Sequence, residues 1–160
     1  MGEALQTAVK RQRLLLSSRL SVLLSKLSEK CAAVWPDRTG LEALLVRELE
    51  IQPYCKYLYV LDDRAHQITS NVSGKGLMPE SFGRDRSDRA YLKYALAGDS
   101  FSLSNAYISR NARRPSLTAI QRIIDGNGEL LGFIGADFDL RELPLTCEVY
   151  KEPEQWKQIK

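Results

Sequence analysis

Residues 115–140 read PSLTAIQRIIDGNGELLGFIGADFDL. Two runs of aliphatic, β-branched and aromatic residues flank Asp125-Gly126-Asn127-Gly128. Asn-Gly is a strong hairpin signal because both residues tolerate positive φ. The spacing predicts two long antiparallel strands joined at that turn. In the second strand, alternation sets Asp137 and Asp139 on one face and Ala136 and Phe138 on the other. A carboxylate on a half-buried strand needs a partner, either an arginine or the cationic group of a ligand.

Upstream, FSLSNAYIS at 101–109 predicts a third strand, and YLYVLDDRAHQITS at 57–70 predicts a hairpin turning at DDRA. Between them NVSGKGLMPESFG, 71–83, is rich in turn formers and reads as a loop. Its Asn71 sequon reads as chance, and its single GxG is too little for a phosphate loop. GRDRSDRAYLKYAL, 83–96, begins as a charged loop. It continues as a short helix over 88–97 that Asp88 opens and Gly98 ends, with Tyr91, Leu92, Ala95 and Leu96 as its apolar face.

At the N-terminus, residues 4–34 form one predicted helix, with no Gly or Pro until Pro36. Val9, Leu16, Leu20, Leu23 and Leu27 make a heptad-like seam. At 1.5 Å per residue the helix is about 45 Å long, more than a domain of this size covers. At least the N-terminal half of the helix is therefore expected to pair with a second copy of the chain; the alternative is that this face packs on its own domain. After WPDRTG, Thr39 caps a second predicted helix with Glu42 as its capping-box partner. Leu41, Leu44, Leu45 and Leu49 are its apolar positions, and it stops before Pro53. The expected division is a dimerisation helix over 1–36, a sensor-like α+β domain over 37–145 and a charged linker over 146–160 around Trp156.

Composition narrows the function. The 23 basic and 20 acidic residues leave a net charge of +3, too mild for a nucleic-acid partner. Cys31, Cys55 and Cys147 are far apart, and His66 is the only histidine. No zinc spacing exists, and any Ser-His or Cys-His catalysis would have to use His66, which reads as a surface residue. No metal, cofactor or catalytic group is expected. The apolar runs LLL, 14–16, and LSVLL, 20–24, are split by Arg19, so no membrane segment is expected. If Met1 is the native start the expectation is cytoplasmic; otherwise the chain is an extracytoplasmic fragment of a membrane receptor.

The run from GRDRSDRAYLKYAL through FSLSNAYIS to IIDGNGELLGFIGADFDL resembles the Cache sensor domains, also called PDC domains, the PAS-like ligand sensors of bacterial signalling receptors. An Asp-Arg-x-aromatic group opening a short helix, a Tyr-Ile-Ser strand and the final hairpin carry the resemblance, over residues 54–143. It implies an α+β fold: a long N-terminal helix and a five-stranded antiparallel sheet, with helices and a ligand pocket on one side. It implies a small-molecule sensor, binding a carboxylate, amino acid or amine, and a homodimer through the long helix.

Carried over position by position, the resemblance implies ligand contacts at Arg89, Tyr91, Tyr107 and Asp137. Leu92 stands where the amino-acid-binding branch has a second helix tyrosine, and Ser109 where it has a strand aspartate. Losing that aspartate removes part of an ammonium site and shifts the expectation toward a carboxylate or another polar small molecule. Chemically, Arg89 offers a planar fork to a carboxylate, and the two tyrosines offer an apolar wall with a hydroxyl at its tip. Arg89 is expected to face Asp137, and a purely structural bridge to Asp85 or Asp137 is its other reading. Arg84 and Arg86 read as solvated loop charges, RNARRP at 110–115 as a solvated turn, and Asp139 as the cap of the LREL turn. The competing function is a ligand-free dimerisation module that keeps a sensor fold.

Overall fold

The computed structural model describes residues 2–52, 54–110 and 113–151. Helix α1, Gly2–Val34, and helix α2, Arg38–Leu49, precede strands β1, Tyr57–Asp62, β2, Asn71–Ser73, and β3, Gly76–Met78. A 3-10 turn at Ala90–Leu92 runs into α3, Lys93–Ala97. Strands β4, Phe101–Leu103, β5, Tyr107–Ile108, β6, Pro115–Ile124, and β7, Leu130–Asp139, follow. The sheet runs β3-β2-β1-β7-β6-β4, with β5 also on β6, and every pairing is antiparallel. The α+β class predicted from the sequence is the observed one.

The central hairpin forms as its sequence requires. Asp125 Oδ1 accepts from the backbone N–H groups of Asn127 and Glu129, at 2.8 and 3.0 Å, and Gly128 takes a φ of 81°. The register then pairs Thr118 with Asp137 and Ala119 with Ala136. On one face Leu58, Val60, Leu117, Ala119, Ile134, Ala136 and Phe138 join the main core, which α1 and α2 cover. On the other, Tyr59, Leu61, Ile120 and Phe133 pack with Tyr91, Leu92 and Ala95. The helices are therefore not all on one side: α1 and α2 cover one face, and the short helix and a cavity lie on the other.

Several local predictions are corrected. The sheet has seven strands among the described residues rather than five. The segment read as a loop contains a hairpin, β2–β3, with Ser73 opposite Gly76. Strands this short, joined through Gly74 and Lys75, are too rich in turn formers to be told from a loop. The partner strand expected after DDRA, over 66–70, is irregular, because Thr69 Oγ1 replaces a ladder carbonyl in accepting the Val60 N–H, at 3.0 Å. FSLSNAYIS is two strands, since Ser104 Oγ takes the Thr118 N–H at 2.9 Å and interrupts the ladder. Asp37, not Thr39, caps α2 through the Gly40 N–H. Glu42 turns instead to Arg38 and to the Ser70 N–H, at 3.1 and 2.6 Å. Asp88 does not cap the short helix, which begins at Ala90 with Arg89 before it; Asp88 pairs with arginines.

The seam assigned to a second copy packs on the domain itself. Leu5, Leu16, Leu20, Leu24, Leu27 and Cys31 are buried along the whole of α1. The helix is covered because the segment after β7 folds back on it: Gln12 Oε1 accepts the Leu145 N–H at 2.8 Å, and Tyr150 is buried in the same core. Residues 146–151 are thus not free linker, and Trp156 lies outside the described residues. Arg13 ties α1 to the sheet edge, donating to the carbonyls of Leu103 and Ser104 at 2.9 and 2.8 Å. Leu14, Leu15 and Val22 point away from the sheet and are exposed.

Truncating α1 tests this packing. Leu27→Ala removes a fully buried side chain and is expected to cost about 2–5 kcal/mol of unfolding free energy. Leu14→Ala, at 66% exposure, is expected to stay within about 0.5 kcal/mol. Urea unfolding of the two variants measures the difference.

Candidate functional site

A cavity of about 430 Å³ opens between the second sheet face, the 84–94 segment and the β4–β5 connection. Arg89, Tyr91, Tyr107 and Asp137 all line it, so the four predicted positions come together. Volumes of roughly 300–1,000 Å³ suit small ligands.

Asp137 sits on the sheet floor of the cavity. Tyr59 Oη and Thr118 Oγ1 each donate to its Oδ1 at 2.8 Å, which leaves Oδ2 without a partner among the described residues. Tyr107 Oη is hydrogen-bonded to Thr118 Oγ1, so a tyrosine–threonine–aspartate chain crosses the floor. Gly135 makes this possible. It lies opposite Tyr59 in the ladder, and a Cβ there would stand 2.0 Å from the tyrosine ring. The ring lies across the bare glycine and carries its hydroxyl to the carboxylate. Burial pushes the Asp137 carboxyl above its ordinary range, although Arg86 and the Tyr59 and Thr118 hydroxyls act in the opposite sense.

The arginines separate differently from their predicted roles. Arg86 is not a solvated loop charge but is buried. Its Nε donates to Gln67 Oε1 at 2.9 Å, Nη1 to Tyr91 Oη at 2.8 Å and Nη2 to Asn71 Oδ1 at 3.3 Å, and its guanidinium lies 4.0 Å from the Tyr59 ring centroid. The cause is a backbone pairing that the sequence does not announce. Gln67 and Arg84 are joined N–H to carbonyl at 2.9 Å, and Arg86 N–H reaches the Ala65 carbonyl at 3.0 Å. An extended segment held this way alternates: Asp85 turns outward to His66, 3.4 Å away, and Arg86 turns inward. Arg84 is half-buried and also lines the cavity. Burial, then Arg86 and Arg89, depress its pKa.

Arg89 does not face Asp137. Its Nη1 bonds Asp88 at 2.7 Å, and Asp88 also holds Arg110 at 3.2 Å. Arg89 nonetheless lines the cavity with its side chain only 12% exposed. Tyr91 and Tyr107 face each other, with ring centroids 5.6 Å apart. Leu92 is core, fully buried beside Tyr59 and Phe133. Ser109 lines the cavity, and its Oγ accepts the Arg114 N–H at 3.0 Å. Asp139 caps the turn after β7 as predicted, accepting the Arg141 N–H at 2.9 Å, and also takes the Arg141 guanidinium. Asn71 is committed to Gln67 and Arg86. His66 is half-exposed, with Asp62 and Asp85 beside it. Of RNARRP, Asn111 and Ala112 lie outside the described residues.

Sequence reasoning missed Arg86, Tyr59, Thr118 and Arg114. The alternation of PSLTAI and YLYV could have placed Thr118 and Tyr59 on the Asp137 face. Nothing in the local sequence distinguishes Arg86 from Arg84.

Most of the chain superposes on ligand-binding domains of receptors. The ligand-binding domain of a Campylobacter jejuni chemoreceptor, in complex with 4-methylisoleucine, matches with a TM-score of 0.66 and 16% identity, over 95% of this chain and 61% of that one. The chain has the fold of the chemoreceptor ligand-binding domains. That of a Pseudomonas aeruginosa amino acid chemoreceptor in complex with GABA matches at 0.61 and 20% identity, over 88% and 62%. An extracellular ligand-binding receptor from Desulfohalobium retbaense matches at 0.64 and 10%, over 96% of this chain and 26% of that one. In sequence, a citrate (Re)-synthase of Syntrophus aciditrophicus is 26% identical over 117 residues, which is 71% of this chain and 18% of that protein. No protein-family model matches. The chain thus spans about three-fifths of the two chemoreceptor domains and less than a fifth of the synthase. Among the described residues no helix is long and apolar enough to cross a membrane.

The Asp137 environment carries a pH signature. With its pKa raised in the folded state, the folded chain binds a proton more tightly than the unfolded chain. Stability contributed by the protonated form is complete below the unfolded value of about 3.9 and declines as pH rises toward the folded value. Asp137→Asn is expected to abolish that decline, so the variant gains on the wild type as pH rises above about 4. Chemical denaturation at stepped pH measures the divergence.

Proposed function

We propose that this chain is the small-molecule sensing domain of a bacterial signal-transduction protein, and that its ligand is a small polar molecule carrying a carboxylate. The observation that carries the reading is the cavity itself. A partly buried arginine, two facing tyrosines and a deep aspartate converge in a space of small-ligand size, on a fold shared with chemoreceptor ligand-binding domains. Arg89 supplies the fork for the carboxylate, Tyr91 and Tyr107 supply the wall, and Asp137 receives a hydroxyl or ammonium. Arg86 is a positioning residue, since its guanidinium holds the Tyr91 hydroxyl. The reading is of a binding domain and not an enzyme, in keeping with the sensor and receptor domains that share its fold. By the same analogy its ligand side is extracytoplasmic.

The β4–β5 connection supports a route outward. Ser104 lines the cavity, and its carbonyl is held by Arg13 of α1. A ligand that favours one position of this connection biases α1 by its difference in affinity for the two positions. Dimerisation belongs to this proposal as well. It would use the outer face of α1, where Leu14, Leu15 and Val22 are exposed. The second reading, a ligand-free dimerisation module, is favoured by that same apolar face.

A thermal-shift screen of amino acids, organic acids and amines tests the first reading. A hit is expected to raise Tm by several degrees, and Arg89→Ala and Asp137→Ala are each expected to remove the shift. No hit with dimerisation intact would favour the second reading. Sedimentation of the Leu15→Glu variant tests the dimer face, with a monomer as the expected species.

A further inference from the structure

The cavity holds more positive charge than its own carboxylates neutralise. Asp139 is taken by Arg141 at 2.8 Å, and Lys56 is matched by Glu142 at 3.0 Å. Arg89 and Arg110 share Asp88. Arg84 and Arg114 also line the cavity, and neither has a carboxylate within ion-pair distance among the described residues.

Arg114 is the more informative of the two. Its Nη1 is buried and makes no hydrogen bond. A guanidinium N–H removed from water without an acceptor is costly, and native proteins rarely leave one so. Its backbone is not free to relieve the cost. Arg114 donates its N–H to Ser109 Oγ at 3.0 Å and accepts the Ser109 N–H at 2.8 Å, while Arg113 before it takes a left-handed φ of 56°. It also leads into β6 in the same alternation as Ser116 and Thr118, which puts it on the cavity face. A second unpaired donor lies on the neighbouring strand. Ser102 Oγ is buried without a partner and lines the same cavity. Its neighbours Phe101 and Leu103 pack into the core across the sheet, so it turns to the cavity side. The loop wall thus carries Arg84 and Arg89, and the sheet wall carries Arg114 and Ser102.

We infer that the cavity takes a ligand with two carboxylates, one held from the loop wall by Arg89 and the other from the sheet wall by Arg114 and Ser102. This rests on the ligand-sensing reading and narrows it. A single carboxylate held at Arg89 would leave the Arg114 Nη1 buried and unpaired, whereas a second supplies the acceptor it lacks. Ser109 adds no negative charge beside Arg114, so a ligand acid there meets no competitor from the chain. Asp137 remains available to a hydroxyl or ammonium between the two acids.

Two probe pairs differ by one carboxylate: L-glutamate against GABA, and glutarate against butyrate. Calorimetric titration of the wild-type chain is expected to give the diacid of each pair roughly 10- to 100-fold tighter binding, the range of a hydrogen-bonded charge. Arg114→Met is expected to erase that preference. It is expected to melt no lower than the wild type, because the side chain has no partner to lose. Should Arg114→Met fail to fold, Arg114→Gln carries the same expectation. Equal affinity within both pairs, or a diacid preference that survives the substitution, overturns this inference alone. If none of the probes binds and the wider screen is also empty, the sensing reading falls and this inference with it.

Discussion

The register of β6 against β7 sets Thr118 beside Asp137 and Ala119 beside Ala136, and most of the molecule depends on that pairing. A strand pair has two faces and cannot mix them. One face must be apolar enough to seat α1, and Ala119, Ala136, Phe138 and Leu117 make it so. The other is then bound to present Thr118 and Asp137 together, at the level where Tyr59 crosses Gly135. A slip of one residue would drive Asp137 under α1 and turn Phe138 into the cavity. The hydrophobic demand of the helix face thereby places the polar floor of the site.

That floor is electrostatically demanding. Asp137 takes the Tyr59 hydroxyl while Arg86 lies over the face of the same ring, and no hydrogen bond joins the two among the described residues. The arginine is held by neutral acceptors, Gln67, Asn71 and Tyr91, and by the face of Tyr59. Such an arrangement keeps the charges near each other without letting them neutralise directly, and it leaves cavity-facing groups with capacity to spare. A direct bridge would be easier to keep in the absence of ligand, but it would occupy the groups a ligand needs.

The long helix serves the same sheet. It buries leucines along its length against β6, β7 and the segment after β7, and Arg13 reaches the carbonyls of the β4–β5 connection. The cavity wall and the helix are therefore mechanically adjacent, separated by one pair of strong hydrogen bonds. A helix too long for a small sheet is still covered, because the chain returns through Tyr150 to cover its N-terminal half.

The local sequence determined the elements whose signals are short-range: the Asn127-Gly128 turn, the alternation of the two long strands, the periodicity of α1 and the caps at Gly98 and Asp139. The resemblance to the Cache domains, not local periodicity, put Arg89, Tyr91, Tyr107 and Asp137 among the residues of interest. Contacts between distant segments decided the rest. Arg86 is buried and Arg84 only partly so because Gln67 and Ala65, some twenty residues earlier, pair with that stretch of backbone. Arg89 turned to Asp88 and Arg110 rather than to Asp137. The seam of α1 met its own sheet because residues after β7 came back to meet it. Periodicity shows that a face must be covered and leaves open what covers it. An arginine shows that a charge must be matched, and only the closed fold shows that at Arg114 the match is still missing.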